Sequence, residues 1–137
     1  MIEFLSETEF TLPDSDKHAE WIETIIKEAG YTFGEITYVF CDDDYLHKLN
    51  IDYLKHDTLT DIISFDYSFG KQVNGEIYIS VERVKENALE FNEPFERELK
   101  RVIIHGILHF LGHRDKSSEE EAQMRLKENE ALAKFPY

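Results

Sequence analysis

Residues 102–111 read Val-Ile-Ile-His-Gly-Ile-Leu-His-Phe-Leu, a run that is apolar on every face except for two histidines. A helix that is apolar all round lies inside a domain, so this segment predicts a central, buried helix. His105 and His109 are one helical turn apart and project from the same face. A buried imidazole without a partner costs roughly 1–3 kcal/mol, so both rings need something to bind. A shared metal ion satisfies both.

The residues that follow this helix offer a third metal ligand. Gly112 lets the chain turn back toward the two rings, which brings His113 or Asp115 within reach. The pattern H-x-x-x-H-x-x-G-x-x-D has the ligand spacing of metzincin-type zinc sites. Three protein ligands and a water are typical of a catalytic zinc, whereas structural zinc usually has four ligands and is rich in cysteine. Because Cys41 is the single cysteine of the sequence, one catalytic zinc ion is the prediction.

Two further interpretations of the histidine pair bear on its chemistry. The two rings can instead be core histidines, each bonded to a carboxylate or a carbonyl group. Peptidases of the H-E-x-x-H type carry their general base directly after the first histidine, and Gly106 stands there in this chain. Peptidase chemistry is therefore not expected. We expect Gly106 to leave room for backbone or substrate to approach the rings closely.

The order of the predicted elements indicates the α+β class, with strands early, helices late and helices also inserted between strands. We expect one domain over residues 1–137, since no repeat or linker interrupts the chain. Gly112 is expected to end the central helix, and Ser117 or Ser118 to cap the last one, with Glu120 or Glu121 three residues later. A turn containing Gly70 and Gly75 should join two strands. The predicted helices are 15–29, 43–49, 81–91, 94–111 and 117–134, and the predicted strands are 35–41, 61–67 and 76–81, with edge strands at 2–4 and 10–12.

Composition limits the partners and the compartment. A formal net charge of −14 argues against nucleic-acid binding by the whole surface, although basic residues cluster near the histidines. There is no run of about 20 apolar residues and no signal peptide at the N-terminus, so neither a membrane span nor export is expected. A single cysteine fits a reducing, cytoplasmic location, and its place after Val39-Phe40 favours a core residue over a nucleophile.

Three separated motifs resemble those of the YbeY family of bacterial endoribonucleases. They are Leu49-Asn50 followed by Thr60-Asp61-Ile62-Ile63-Ser64-Phe65, then Gly75-Glu76-Ile77-Tyr78-Ile79-Ser80, and finally the segment from His105 to Gly112. The resemblance implies a small mixed β-sheet packed with about five helices and a zincin-like central helix that carries the metal histidines. It also implies zinc-dependent cleavage of single-stranded RNA, maturation of ribosomal RNA 3′ ends, and ribosome assembly and quality control. The implied partners are ribosomal RNA precursors and ribosomal particles, with no membrane and no DNA.

The chain departs from that family at two places. Most members end the last motif with G-Y-D-H, whereas this chain has Gly112-His113-Arg114-Asp115, so the resemblance gives the third ligand position to Asp115, with His113 as the alternative. Many members have an arginine where Leu54 stands. We expect either that Lys55 or His56 supplies that charge or that this chain works with less positive charge. Further candidates for phosphate contacts are Arg97, Arg101 and Arg114.

The general base is not identified by the sequence. Asp61 and Glu76 lie in family motifs beside apolar strand residues, but a helix cap or a structural hydrogen bond explains either one equally well. Two other functions are compatible with the residues. One is a non-enzymatic ribosome-assembly factor that uses the metal only for stability, and the other is a metal hydrolase of another phosphoester.

Overall fold

A computed structural model of the protein describes residues 1–54 and 60–137, and these residues form a sheet and five helices. The strands are β1 (Ile2–Ser6), β2 (Thr32–Cys41), β3 (Ile62–Asp66) and β4 (Gln72–Ser80). The helices are α1 (Ser15–Glu28), α2 (Asp43–Leu54), α3 (Val81–Glu90), α4 (Phe95–Phe110) and α5 (Ser118–Leu132).

The sheet has the strand order β1-β2-β4-β3 and mixes two kinds of pairing. Strand β2 pairs in parallel with β1 on one side and with β4 on the other, whereas β3 pairs antiparallel with β4 and forms an edge. Parallel neighbours need a crossover connection, and α1 and α2 lie in the two segments that return the chain. The predicted α+β class with a mixed sheet and about five helices is confirmed.

Helix α4 is the central element of the core, as its apolar sequence predicts. Most of its residues from Glu98 to Phe110 are buried, including the polar ones at its start. Ile77 and Ile79 lie on the same face of β4, because side chains alternate between the two faces of a strand, and α4 packs on this face. The Tyr38 hydroxyl of β2 donates a hydrogen bond of 2.7 Å to the backbone carbonyl of Ile103, which fixes the helix above the middle of the sheet.

Several element ends differ from the sequence prediction, and packing explains the largest difference. Strand β4 begins at Gln72, so Gly75 lies inside a strand and not in the turn where we expected it. A Cβ atom at Gly75 would lie 2.6 Å from the Phe110 ring and 2.6 Å from the Phe65 carbonyl oxygen. The glycine is therefore required by a close approach of helix and sheet, and the sequence alone assigned it to a turn.

Other elements are longer than predicted, and one predicted strand is absent. Helix α2 continues to Leu54, five residues beyond the expected end at 49, and β2 starts at Thr32. Residues 10–12 form no strand, and Leu12 is buried in the core instead. Cys41 is buried at the end of β2, and burial raises the pKa of its thiol to about 12, as befits the predicted core residue. Within the described residues, no helix is long and apolar enough to cross a membrane.

Candidate metal centre

The chain turns sharply after α4 and returns to the ring face of that helix. Gly112 adopts a φ of 98°, a left-handed conformation that suits glycine at the end of a helix. The backbone N–H of Gly112 donates to the His109 carbonyl, and that of His113 donates to the Leu108 carbonyl, both at 3.0 Å. These bonds direct the following residues back toward the helix, so Asp115 reaches the two histidine rings. The predicted helix end at Gly112 is confirmed.

Three potential ligand atoms converge in this turn, and we call His105, His109 and Asp115 the metal-ligand group. The Nε2 atoms of the two histidines lie 3.0 Å apart, and Asp115 Oδ2 lies 3.2 Å from the first and 3.3 Å from the second. A zinc ion with bonds of 2.0–2.2 Å and tetrahedral angles keeps its ligand atoms about 3.3–3.6 Å apart. The group therefore fits one small divalent cation with little adjustment.

Of the two residues considered for the third ligand position, the structure brings Asp115 to the rings. His113 faces the other way and lines a separate depression with Lys127 and Leu111. Burial there lowers the pKa of His113, and the nearby Lys127 and His109 lower it further. His113 is not one of the residues that converge, among those that the structure describes.

A buried carboxylate orients one of the two rings. Glu128 of α5 is only 4% exposed, and its Oε2 atom lies 2.7 Å from His105 Nδ1. A carboxylate accepts, so Nδ1 carries the hydrogen, and the lone pair of Nε2 points toward His109 and Asp115. The other oxygen of Glu128 accepts a hydrogen bond of 3.1 Å from the Arg101 guanidinium. Metal-binding histidines usually have such a partner on the second nitrogen.

The charges around His105 favour a cation at its ring. Burial alone would lower the pKa of His105, but its hydrogen bond with Glu128 and the charges of Glu128, Asp115 and Asp61 together raise it. The pKa of Glu128 is lowered, because the bonds from His105 and Arg101 outweigh the effect of its burial. The ring is thus stabilised when it binds positive charge, whether a proton or a metal ion. The interpretation as two separate core histidines explains the Glu128 bond, but it does not explain why His109 and Asp115 meet at the same point.

A cleft of about 300 Å³ opens beside the metal-ligand group. His105 and Asp115 line one side of it, and the remaining wall comes from β3, α3, α4 and α5. We refer to this cavity, whose lining includes Asp61, Asn87, Phe91, Arg101 and Arg125, as the cleft.

The two acidic residues considered for proton transfer lie in different places. Asp61 lines the cleft, where Asn87 Nδ2 donates to its Oδ2 over 3.4 Å and burial raises its pKa. Glu76 lies on β4 and accepts hydrogen bonds from the hydroxyls of Tyr67 at 3.1 Å and Tyr78 at 3.4 Å. It does not line the cleft. Of the two carboxyl groups, which the sequence does not distinguish, only that of Asp61 therefore lines the cleft beside the metal-ligand group.

The basic residues expected to contact phosphate are distributed in three ways. Arg101 lines the cleft, but its guanidinium is buried and bonded to Glu128 and to Asn129 Oδ1 at 3.0 Å. Arg97 forms an ion pair of 3.7 Å with Glu93 and does not line the cleft, and Arg114 is exposed beside Glu119 in another depression. Lys55 and His56 lie outside the described residues.

Sequence reasoning missed Glu128 and Arg125, although α5 contains a signal for the first. The buried residues of this helix are Met124, Glu128, Ala131 and Leu132, at the spacing of an apolar helix face. An acidic residue in such a stripe must be paired to be buried. Together with two histidines that need partners, that placement identifies Glu128 as a candidate. Arg125 carries no comparable signal, since an exposed arginine on a helix is ordinary.

Comparison with known proteins extends over nearly the whole chain. A family model described as Endoribonuclease YbeY matches residues 3–136. Endoribonuclease YbeY of Flavobacterium johnsoniae is 53% identical over 135 residues, which cover 98% of this chain and 97% of the relative. Its counterpart in Christiangramia forsetii is 53% identical, covering 98% of this chain and 94% of the relative. The solution structure of a Thermotoga maritima protein has a TM-score of 0.70 and 31% identity, with 98% of this chain and 89% of that chain covered.

Proposed function

The chain belongs to the YbeY endoribonuclease family, and we propose that it is a zinc-dependent enzyme that cleaves single-stranded RNA. Its substrate is then a ribosomal RNA precursor, and its role is 3′-end maturation together with ribosome assembly and quality control. One domain over residues 1–137 would carry this activity in the cytoplasm, with ribosomal particles as partners. The observation that supports the proposal most directly is the convergence of His105, His109 and Asp115 at 3.0–3.3 Å beside an open cleft.

In this proposal the metal-ligand group holds one zinc ion. The chemistry that zinc supplies in a three-ligand site is Lewis acidity toward a phosphoryl oxygen and activation of water. The residues of this chain do the rest. Glu128 keeps the hydrogen of His105 on Nδ1, and Arg101 keeps Glu128 ionised and in place. Gly112 sets the turn that returns Asp115, so the three ligands are arranged before any substrate arrives.

The access of a substrate is compatible with this arrangement. The side chains of His105, His109 and Asp115 are 20%, 32% and 37% exposed, so the group is neither sealed in the core nor on an open surface. A single strand can approach such a recess, because its phosphates and bases are free to turn toward it. A regular duplex presents a wider and stiffer surface.

The test is cleavage of a labelled single-stranded RNA by the purified, zinc-loaded protein. The same RNA in a duplex and the variant His109→Ala serve as controls, and a ribosomal RNA precursor is the second substrate. We expect the wild-type protein alone to cut the single strand. If zinc is bound and neither RNA is cut, the proposal is wrong. Loss of ribosome association on zinc removal would then indicate the assembly factor, and turnover of a small phosphoester would indicate the other hydrolase.

A further inference from the structure

We propose that the cleft binds one unpaired nucleobase of the RNA next to the metal-ligand group, and that it prefers a base with an exocyclic amine. This inference rests on the proposed function and concerns the substrate of the same site. The cleft shares His105 and Asp115 with the metal-ligand group, so a base held there places its own phosphate near the ligands. A volume of about 300 Å³ is at the small end of ligand sites, which fits one nucleoside and not a longer segment.

An exposed aromatic ring lines the cleft at its α3 side. Phe91 follows the last residue of α3 and is 57% exposed, although it lies in a cavity of the protein. Single-stranded nucleic acids are commonly bound by stacking of unpaired bases on such rings. Among the described lining residues of the cleft, Phe91 is the aromatic side chain that does not belong to the metal-ligand group, so it is the surface on which we place the base.

Hydrogen-bond acceptors lie beside this ring. Asn87 is one helical turn before Phe91, and its Nδ2 donates to Asp61 Oδ2 over 3.4 Å, a long and therefore weak bond. A carboxylate only accepts, and it pairs with an exocyclic amine such as that of cytosine. The corresponding position of uracil is a carbonyl oxygen, which a carboxylate repels, so uracil can pair with it only through the neighbouring N3–H. The chemistry of Asp61 therefore favours cytosine, adenine or guanine over uracil.

The charge of the cleft indicates that the base enters it and the phosphate stays outside. Four carboxyl groups line the cavity, those of Asp61, Glu98, Asp115 and Glu128, against the two arginines Arg101 and Arg125. Arg101 is already engaged by Glu128, so the interior does not suit an anion. Arg125 is 3.5 Å from Glu128 but its side chain is 57% exposed, so its guanidinium lies at the rim. The base would therefore lie inside the cleft on Phe91, and the phosphate would lie on the solvent side of Arg125.

The test compares two exposed apolar residues near the end of α3. Leu89 is 78% exposed and does not line the cleft, so Leu89→Ala is the matched control for Phe91→Ala. The probes are fluorescent, nuclease-resistant 2′-O-methyl hexanucleotides of cytosine, adenine or uracil, titrated into the zinc-loaded protein by anisotropy. We expect tighter binding of the cytosine and adenine probes than of the uracil probe. Phe91→Ala should weaken binding about 5- to 150-fold, the range that loss of one stacked base implies, and Leu89→Ala should not.

The contrary results are equally specific. Equal affinity for the three probes would overturn the base preference, and Phe91→Ala binding as well as Leu89→Ala would overturn the stacking site. Asp61→Asn keeps the size of the side chain but adds a donor, so it should remove the discrimination against uracil. RNA cleavage is measured separately on the same samples. If the wild-type protein cleaves RNA and Phe91→Ala has the same KM, the base site is refuted and the proposed function is not. If the protein binds the probes with base preference but cleaves no RNA, the proposed function is refuted and the base site is not.

Discussion

The two faces of α4 are held by different kinds of contact. Its sheet-facing side, which we call the packing face, includes Gly106 and Phe110 and lies so close to β3 and β4 that an added Cβ atom would be crowded. Its other side, the ligand face, carries His105 and His109, whose side chains are 20% and 32% exposed and are surrounded by polar groups. Shape fixes the first face, and hydrogen bonds and charge fix the second. Substitutions on the two faces should therefore affect different properties, stability in one case and metal binding in the other.

A smaller contrast exists within the ligand face. His105 has a buried carboxylate on its second nitrogen, whereas the polar contacts of the His109 ring, within the described part of the chain, are to His105 and Asp115. One ring is thus held by a buried carboxylate, and the other, among the described residues, has polar contacts with the metal-ligand group alone. Helix α5 therefore helps to orient the metal-ligand group, because its Glu128 holds the His105 ring.

The largest effect should come from removing the third ligand. We expect Asp115→Ala to weaken zinc binding by more than about 100-fold, because even residues that only orient a ligand contribute roughly 10- to 100-fold. His113→Ala, two positions earlier, should keep its zinc, since that ring faces away from the group. Metal content after dialysis measures both variants, and circular dichroism checks that each is folded. The reverse pattern of metal contents would remove Asp115 from the ligand set.

Loss of the carboxylate behind His105 should have the second-largest effect. Glu128→Gln keeps the size of the side chain but removes the charge that favours a cation at the ring, so we expect zinc affinity to fall about 10- to 100-fold. Glu130→Gln is the control, because Glu130 is exposed on the same helix and pairs only loosely with Lys127 at 3.6 Å. Competition with a chromophoric chelator gives both affinities. Equal affinities for the two variants would show that Glu128 has no part in orienting the ring.

The sequence predicted the ligand face better than the packing face. The spacing of His105 and His109, the turn at Gly112 and a serine cap at 117 or 118 depend on local geometry, and the structure has the cap at Ser117 with Glu120 in a full capping box. Local rules of this kind can be applied without knowledge of distant residues. Glu128, by contrast, is 23 residues from its histidine partner, and only the burial pattern of α5 points to it.

The glycines of the packing face show why the rest was missed. Gly75 and Gly106 are both in the family motifs, but neither has an unusual φ, so backbone conformation does not explain them. The space around them is filled by residues far away in the chain, which periodicity cannot reveal. Gly106 in particular was expected to admit substrate, and the structure fills that space with Ile77 and Ile62. The glycine serves helix–sheet packing instead.

Crowding on the packing face should affect the stability of the fold. An alanine at Gly75 meets the Phe65 backbone oxygen and the Phe110 ring, each at 2.6 Å, and the backbone oxygen cannot move without shifting β3. We expect Gly75→Ala to lower the free energy of unfolding by about 1–3 kcal/mol, the usual cost of overpacking. Zinc affinity of the folded protein should stay near that of the wild type. Urea unfolding of the metal-free protein measures the first quantity, and a large loss of zinc affinity would mean that the two faces are not independent.

The smallest effect should come from substitution of Gly106. This residue tests whether the two faces are independent, because it lies on the packing face and directly follows His105 of the ligand face. A Cβ atom there would lie 2.9 Å from the Ile77 Cδ1 methyl, which is the end of a side chain and can rotate away. Alanine also favours a helix over glycine by about 1 kcal/mol, which offsets part of the crowding. We therefore expect Gly106→Ala to change the free energy of unfolding by less than about 1 kcal/mol. A loss as large as that of Gly75→Ala would show that the Ile77 side chain cannot rotate away. Zinc affinity would then tell whether α4 itself is displaced, since a shift of the helix at Gly106 carries His105 away from Glu128.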